Sequence, residues 1–344
     1  MITIVISLIV AIFAVFLAIF LKEKRLVFLV SLLALLIPHF LITYYSFFIF
    51  VAFLFLLIFS YLYNDSVAIA SVSLIYPLTQ LLFSYTGLDF AIILQAYTFA
   101  TLILFRKNNR ALFLIFMSSA ISLILFILGV LYTNSLIELF ALLLYVGFFP
   151  LNPLVYISSS FLNGNENAIF FGSKIPILLY LINFVPNSLF LELIGIIFAI
   201  FPLIYAFSKH GLNRIILIAL SQLGIIVALL PVISLSYYYL LVFSSVFSEM
   251  FMFLSIDYSQ NLTFISSLSM IGIPLLPGFW AKFSALISSY NYSYLAIIIS
   301  FAIGIQAFLV FSFLKRKNQI SLSEILISIS FVILFFILPF GLKI

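Results

Sequence analysis

The sequence contains no cysteine. That excludes disulfides, thiolate-held iron–sulfur clusters and cysteine nucleophiles. Histidine is nearly missing as well. His39 and His210 are far apart, so no zinc, haem or other metal site is expected. Charge is scarce: 7% of the 344 residues are charged. A soluble domain carries roughly 25%, because its surface must face water. Seven per cent cannot cover a soluble surface of this size. No stretch is long or polar enough to form a separate soluble domain. Clustered acids at one membrane face, as a lipid-linked transferase would want, are missing too. Asp65, Asp89, Glu166 and Asp257 are scattered.

What remains is apolar. Hydrophobic residues make up 67% and mean hydropathy is +1.42. A spanning helix needs about 20 apolar residues, so the length accommodates about fourteen helices joined by short turns. The expected fold class is an all-α polytopic membrane protein. Spans fall near 2–21, 26–44, 45–63, 66–85, 89–105, 111–132, 136–161, 167–184, 188–208, 212–233, 235–256, 261–288, 293–314 and 323–341. The second and third have no polar break between them, and a turn near Thr43–Ser46 is expected there. The first stretch lacks a basic n-region and a small-residue cleavage site, so it reads as a retained helix.

Positive charge orders these spans. The loops after odd-numbered helices hold Lys22, Lys24, Arg25, Arg106, Lys107, Arg110, Lys209, Arg214, Lys315, Arg316 and Lys317, most of the 14 basic residues. The loops after even-numbered helices hold none. The positive-inside rule makes the basic side cytoplasmic, or matrix in an organelle, and puts both termini outside. Arg214, at a cytoplasmic helix start, reads as an anchor. The net charge of +5 is thus spent on topology, and no nucleic-acid partner is expected.

Two spans carry matching interruptions. Gly147-Phe148-Phe149-Pro150-Leu151-Asn152-Pro153 lies in the seventh, and Gly272-Ile273-Pro274-Leu275-Leu276-Pro277-Gly278 in the twelfth. Each has P-x-x-P a short step after a glycine. Proline removes a backbone donor and breaks a helix. In lipid such a break must face protein or a wet cavity. Five helices separate the two, so the five-helix units around them have opposite orientation. Paired broken helices in inverted repeats point to an ion pathway at mid-membrane, although two kinks that only shape packing would leave the same trace.

Charge inside the spans gives the candidate pathway. Lys282 follows the second break with apolar neighbours on both sides. A lysine at the bilayer centre costs about 2.5–3.5 kcal/mol on insertion scales, so it is retained for pairing or function. Lys174, early in span eight, follows the polar run Asn163-Gly164-Asn165-Glu166-Asn167 and could instead snorkel to that interface. Glu249 is deep in span eleven, Glu138 opens span seven, Gln95 is a neutral polar group in span five, and Glu192 is near a span end.

These residues resemble a known family. Gly272-Ile273-Pro274-Leu275-Leu276-Pro277-Gly278-Phe279-Trp280-Ala281-Lys282-Phe283 is similar to the G-I-P-x-x-x-G-F-x-x-K-F signature of antiporter-like subunits of respiratory complex I. His210-Gly211-Leu212-Asn213-Arg214-Ile215-Ile216-Leu217-Ile218-Ala219-Leu220-Ser221-Gln222-Leu223-Gly224 resembles that family's D-L-K-R-x-L-A-Y-S-S-I-S-Q-x-G stretch. Arg106-Lys107-Asn108-Asn109-Arg110-Ala111-Leu112 resembles its basic loop after helix five. Length favours subunit N, the counterpart of mitochondrial subunit two. The resemblance implies fourteen helices, inverted five-helix repeats and broken helices seven and twelve. The expected division is an N-terminal three-helix segment over 1–63, repeats over 66–184 and 188–314, and a C-terminal helix over 323–344.

It also implies a proton-translocating membrane-arm subunit, partnered by other membrane-arm subunits. Flavin, iron–sulfur clusters and quinone would belong to partners, with no cofactor in this chain. Family members carry a glutamate in helix five and lysines in helices seven, eight and twelve. Lys282 matches in helix twelve and Lys174 in helix eight. Helix five offers Gln95, which cannot ionise. The helix-seven lysine falls near Tyr145, its H-x-W-L-P-D-A continuation is missing, and Glu138 is the nearest charge. A cation/proton antiporter subunit, a membrane-bound hydrogenase subunit, or a structural membrane-arm subunit with a degenerate first channel are the alternatives.

Overall fold

The computed structural model describes residues 2–21, 23–37, 50–51, 53–54, 56–58, 60–61, 66–82, 85–104, 108–147, 150–184, 189–314, 324–325, 327–329 and 332–333. The expected turn near Thr43–Ser46 lies outside these residues. So do Lys22, Arg106, Lys107, Lys315, Arg316 and Lys317, and most of the span expected over 323–341. Among the described residues there is helix and no strand. Hydrocarbon offers no partner for backbone N–H and C=O groups, and an α-helix satisfies them within one segment.

Among the described residues six helices are long and apolar enough to cross a membrane. The chain is an integral membrane protein. It divides into two compact units, the first built from residues 1–146 and 161–180, the second from 147–160 and 181–344.

The first unit holds α1 (Ile2–Phe20), α2 (Lys24–Leu36), α3 (Ser66–Leu82), α4 (Gly87–Leu104), α5 (Asn109–Leu131) and α6 (Ser135–Val146). The chain returns to it later with α8 (Gly164–Gly172) and α9 (Ile175–Tyr180). The Ser7 hydroxyl donates to the Ala34 carbonyl at 2.5 Å and ties α1 to α2. Gly129 of α5 lets α6 approach, since a Cβ there would come within 2.7 Å of the Glu138 backbone nitrogen. Asn108 caps α5, accepting from Ala111 N at 3.1 Å. Asn163 and Glu166 form a capping box on α8: Asn163 Oδ1 accepts from Glu166 N at 2.8 Å, and Glu166 Oε2 from Asn163 N at 3.0 Å. The polar run before span eight is therefore the start of a helix, satisfying its first free N–H groups.

The second unit holds α7 (Pro153–Ser160), α10 (Leu189–Ala206), α11 (Gly211–Leu229), α12 (Leu235–Tyr258), α13 (Gln260–Ile271), α14 (Pro277–Ser289) and α15 (Ser293–Val310). Small residues bring α10 and α11 into backbone contact. Gly195 faces Ala228, and Gly224 faces Phe198 and Ala199; a Cβ on either glycine would clash with the opposing backbone. Two small residues four apart on each helix let the axes approach, and close van der Waals packing drives helix association in lipid. α11 and α12 are buried on nearly all sides. By contrast α10 exposes Leu193, Ile197 and Ile204, and α15 exposes Ile297, Phe301 and Phe308. These apolar stripes suit lipid or another apolar surface.

Candidate functional site

Three helices are interrupted near the residues of interest. α6 ends at Val146, Gly147 takes φ 98°, and helix resumes at Pro153. A Cβ on Gly147 would come 2.5 Å from Val155 Cγ1, so both conformation and space favour glycine there. α13 ends at Ile271, Gly272 takes φ 94°, and α14 begins at Pro277. Between them Leu275 has φ 75°. A left-handed backbone costs a non-glycine residue about 1–2 kcal/mol, so this break stores strain. Pro274 lies inside the turn, and Pro277 occupies the first turn of α14, where its missing N–H costs nothing. The third interruption was not expected. α8 stops at Gly172, and α9 starts only at Ile175, with Pro176 unable to donate to the Gly172 carbonyl.

In the first unit this third break turns Lys174 inward. The side chain is 2% exposed, too little for a lysine that reaches an interface. Its ammonium donates to the Val146 carbonyl at 2.5 Å. That carbonyl is at the end of α6, where the last C=O groups have no partner within the helix. A cation there also answers the negative end of the helix dipole. The ammonium sits 4.4 Å and 4.5 Å from the ring centroids of Phe170 and Phe171. One residue before the capped carbonyl, the Tyr145 hydroxyl meets Thr98 Oγ1 of α4 at 2.9 Å. On the same face of α4, the Tyr97 hydroxyl donates to the Ser173 carbonyl. Lys174, Tyr145 and the end of α6 are thus brought together.

Gln95 is half-buried on α4, off the face that carries Leu94, Tyr97, Thr98 and Thr101. Glu138 stands at the start of α6, against Gly129 and in electrostatic contact with Tyr180. Pro150 lies inside the seventh-span break and Pro153 ends it, with Asn152 buried between them.

The second unit contains the fuller site. Lys282 is half-buried in α14, one and a half turns past the break. Its ammonium donates to Gln222 Oε1 of α11 at 2.9 Å and to Gln306 Oε1 of α15. Gln222 Nε2 donates to Ser245 Oγ of α12 at 3.0 Å, and Gln306 Nε2 to Ser221 Oγ at 3.0 Å. Ser221 in turn donates to the Ala199 carbonyl at 2.6 Å, across the close α10–α11 contact. The amides are therefore held with both oxygens aimed at one ammonium. Glu249 of α12 is 2% exposed, lines the same small cavity as Lys282, and acts on it electrostatically. Ser248, Ser245, Gln222, Gln306 and Gly278 complete much of the lining, around space for about one water molecule.

Both glycines of the break serve this lysine. A Cβ on Gly272 would come 2.8 Å from Lys282 Cγ. One on Gly278 would strike the Ser269 carbonyl and come 2.9 Å from Ser248 Oγ. The Gly278 N–H donates to Ser269 Oγ at 3.1 Å, which satisfies a donor at the open end of α14.

Arg214 lies at the start of α11. Its Nε donates to the Lys209 carbonyl at 2.7 Å and its Nη1 to Ser312 Oγ at 2.8 Å, so it ties the ends of α10, α11 and α15. Glu192 of α10 is buried and accepts from the Tyr294 hydroxyl of α15. Among the described residues no three His, Asp or Glu side chains gather as a metal would need. Gln306 is the residue that sequence reasoning missed. A lone glutamine inside an apolar span is itself a signal. Gln222 lies in the stretch Ser221-Gln222-Leu223-Gly224, where nothing in the sequence tells what its amide meets.

No protein-family model matches the sequence, and no curated relative does. Solved structures do. A chain of respiratory complex I from Thermus thermophilus with bound aureothin superposes with a TM-score of 0.79 at 14% identity, covering 99% of this chain and 97% of that one. A chain of the Mrp complex from Dietzia sp. DQ12-45-1b gives 0.76 at 13% identity, over 93% of this chain and 80% of that one. A chain of Thermus thermophilus complex I with bound NADH gives 0.72 at 14% identity, over 98% and 95%. At these identities the likeness is one of fold: this chain is built like those chains over nearly its whole length.

Proposed function

We infer that the chain is a proton-translocating membrane-arm subunit of a complex I-like quinone oxidoreductase. In this reading about fourteen spans form two inverted five-helix repeats, and the basic loops face the cytoplasm or matrix. Redox chemistry belongs to partner subunits, which would hold flavin, iron–sulfur clusters and quinone. Protons move through a hydrated axis that includes Lys174 and Lys282, driven by electrostatic coupling to neighbouring subunits.

The observation that carries this reading is the Lys282 site. An ammonium is held just past a broken helix by two neutral amide oxygens, beside a small cavity and a buried carboxylate. Neutral acceptors solvate the charged form without locking it in a contact ion pair. A neighbour's change in charge can then shift the proton, because electrostatic interactions are strong where water is scarce. The fold likeness to chains of complex I supports the assembly.

The likeness to an Mrp chain supports a second reading, a cation/proton antiporter subunit. Isolating the intact complex separates the two: copurifying redox subunits support the first, antiporter partners alone the second. The pathway itself is tested by Lys282→Met in that complex. Methionine matches the side-chain length and is no harder to insert, so assembly should persist while coupled proton translocation falls sharply. Normal proton coupling in Lys282→Met would reduce this lysine to a structural role.

A further inference from the structure

A file of hydroxyl groups leaves the Lys282 cavity along the seam between α12 and α13. It ends at a buried carboxylate that the reading above does not use. Ser248 lines the cavity, and its Oγ meets Ser269 Oγ at 3.0 Å. Two turns further along α12, Ser255 Oγ meets Ser266 Oγ at 2.7 Å. Thr263 Oγ1 then donates to the Ser255 carbonyl at 3.0 Å and the Ser259 carbonyl at 2.8 Å. Beyond it Asn261 Nδ2 donates to Glu324 Oε2 at 3.2 Å. Asn261 and Glu324 are buried, yet Asp257 and Gln260 beside them at the α12–α13 corner are exposed. The file therefore starts one layer below the surface.

Packing alone does not ask for this arrangement. Serines in apolar helices commonly satisfy themselves by bonding back to a carbonyl three or four residues earlier, and these do so too. Such serines could face anywhere. Here hydroxyls from two helices face each other in pairs, at successive levels of one seam.

Between the two hydroxyl pairs one residue interrupts the file. Met252 is fully buried between the Ser248 and Ser255 levels, and its sulfur accepts from Ser266 Oγ at 3.1 Å and Ser267 Oγ at 3.7 Å. At about 1.5 Å rise per residue, Ser248 and Ser255 stand roughly 10 Å apart along α12, and Ser266 and Ser269 roughly 4.5 Å apart along α13. The first distance is too long for one hydroxyl to reach the other, and a thioether carries no proton.

We propose that the α12–α13 hydroxyl file is a proton route between Glu324 and Lys282, closed at rest by Met252. The flexible thioether side chain swings aside, one or two water molecules bridge the gap it leaves, and further water links Glu324 to Thr263 and Thr263 to the Ser255–Ser266 pair, where no hydroxyl contact joins them. Protonated Glu324 gives up its carboxyl proton to the file. Each hydroxyl or water accepts one proton and passes on its own, and the last proton binds the lone pair of a neutral Lys282 amine. Glu324 is left as carboxylate and is reprotonated from the aqueous side at the α12–α13 corner. Charge distribution makes that side cytoplasmic, and the proposal rests on Lys282 being the proton carrier inferred above.

The chain's lack of cysteine makes the test clean. Single variants Ser255→Cys, Ser267→Cys and Ser248→Cys are placed in the intact complex in inside-out membrane vesicles. A small cationic methanethiosulfonate reagent is added from the cytoplasmic face. Thiolates react only where water reaches them. Ser255→Cys and Ser267→Cys should react, and Ser248→Cys at least about tenfold more slowly. Adding Met252→Ala should abolish that difference. Inert cysteines at 255 and 267, or a Ser248→Cys rate unmoved by Met252→Ala, would overturn the route. A second arm uses Glu324→Gln, expected to cut proton translocation about tenfold or more, with Glu324→Asp retaining most of it. Impaired Lys282→Met with normal Glu324→Gln sinks the route alone. Normal Lys282→Met sinks the underlying function, and the labelling pattern is read without turnover.

Discussion

The Lys282 ammonium donates to Gln222 Oε1 at 2.9 Å, joining a lysine in a broken helix to a glutamine 60 residues earlier in a continuous one. Gln222 cannot swing freely, because its amide nitrogen is tied to Ser245. The contact therefore sets where the charge can sit.

Gln222→Glu should impair translocation more than Gln222→Leu. A carboxylate at that position would pair with the ammonium and hold its proton, since an opposite charge within about 4–6 Å favours the charged form. Leucine only removes an acceptor, at about 1–3 kcal/mol for a buried donor left short. Proton-to-electron stoichiometry in the intact complex reads the order. Equal loss in the two variants would argue that Gln222 only packs.

Lys282→Arg should also impair translocation. Arginine keeps its charge at any working pH, so it can fill the site without releasing a proton. Retention of more than about half the normal coupling would contradict proton exchange at this position.

Gly278→Ala should destabilise the second unit by about 1–3 kcal/mol, because the new methyl group meets backbone at Ser269 as well as Ser248 Oγ. Gly304→Ala is the control, with nothing within 4 Å of the added atom. Thermal unfolding in detergent compares them. Equal midpoints would mean that the break around Gly272–Gly278 relaxes without cost.

Lys174→Met should loosen the end of α6. The Val146 carbonyl loses a charge-assisted partner and the helix dipole loses its cation. Amide hydrogen exchange through Leu142–Val146 should quicken relative to Ala111–Ile115 in α5. Unchanged protection would mean that another group satisfies that carbonyl.

Topology is open to the same cysteine chemistry. Asn109→Cys and Ser208→Cys should label only from the basic side, and Ser135→Cys only from the opposite one. All three are exposed positions at helix ends. Labelling of Asn109→Cys and Ser208→Cys from opposite faces would remove the even helix spacing on which the inverted-repeat reading rests.

Much of this is legible in the sequence. The breaks at Gly147 and Gly272 could be read because glycine and proline act on their own backbone, within one turn. Lys282 stood out because a cation in an apolar run is costly wherever that run folds. Lys174 was harder. Its neighbours along the chain suggested a way out to an interface, and the break before Pro176 turned it to the end of α6 instead. Asn163 and Glu166 carry capping-box spacing, three residues apart, within the polar run before span eight, and the structure shows that run starting a helix.

By itself, the sequence determined that the protein lives in lipid and where two of its helices break, at Gly147 and Gly272, because composition and local backbone chemistry depend on no distant residue. Only tertiary structure decided that Gln222 of α11 and Gln306 of α15 share one ammonium, that Ser248 faces Ser269, and that Met252 stands between two hydroxyl pairs. Glutamine and serine look the same in a sequence whether they face lipid, a neighbouring helix or a proton carrier. Helix rotation and register, settled by contacts such as Gly195 on Ala228, choose among these.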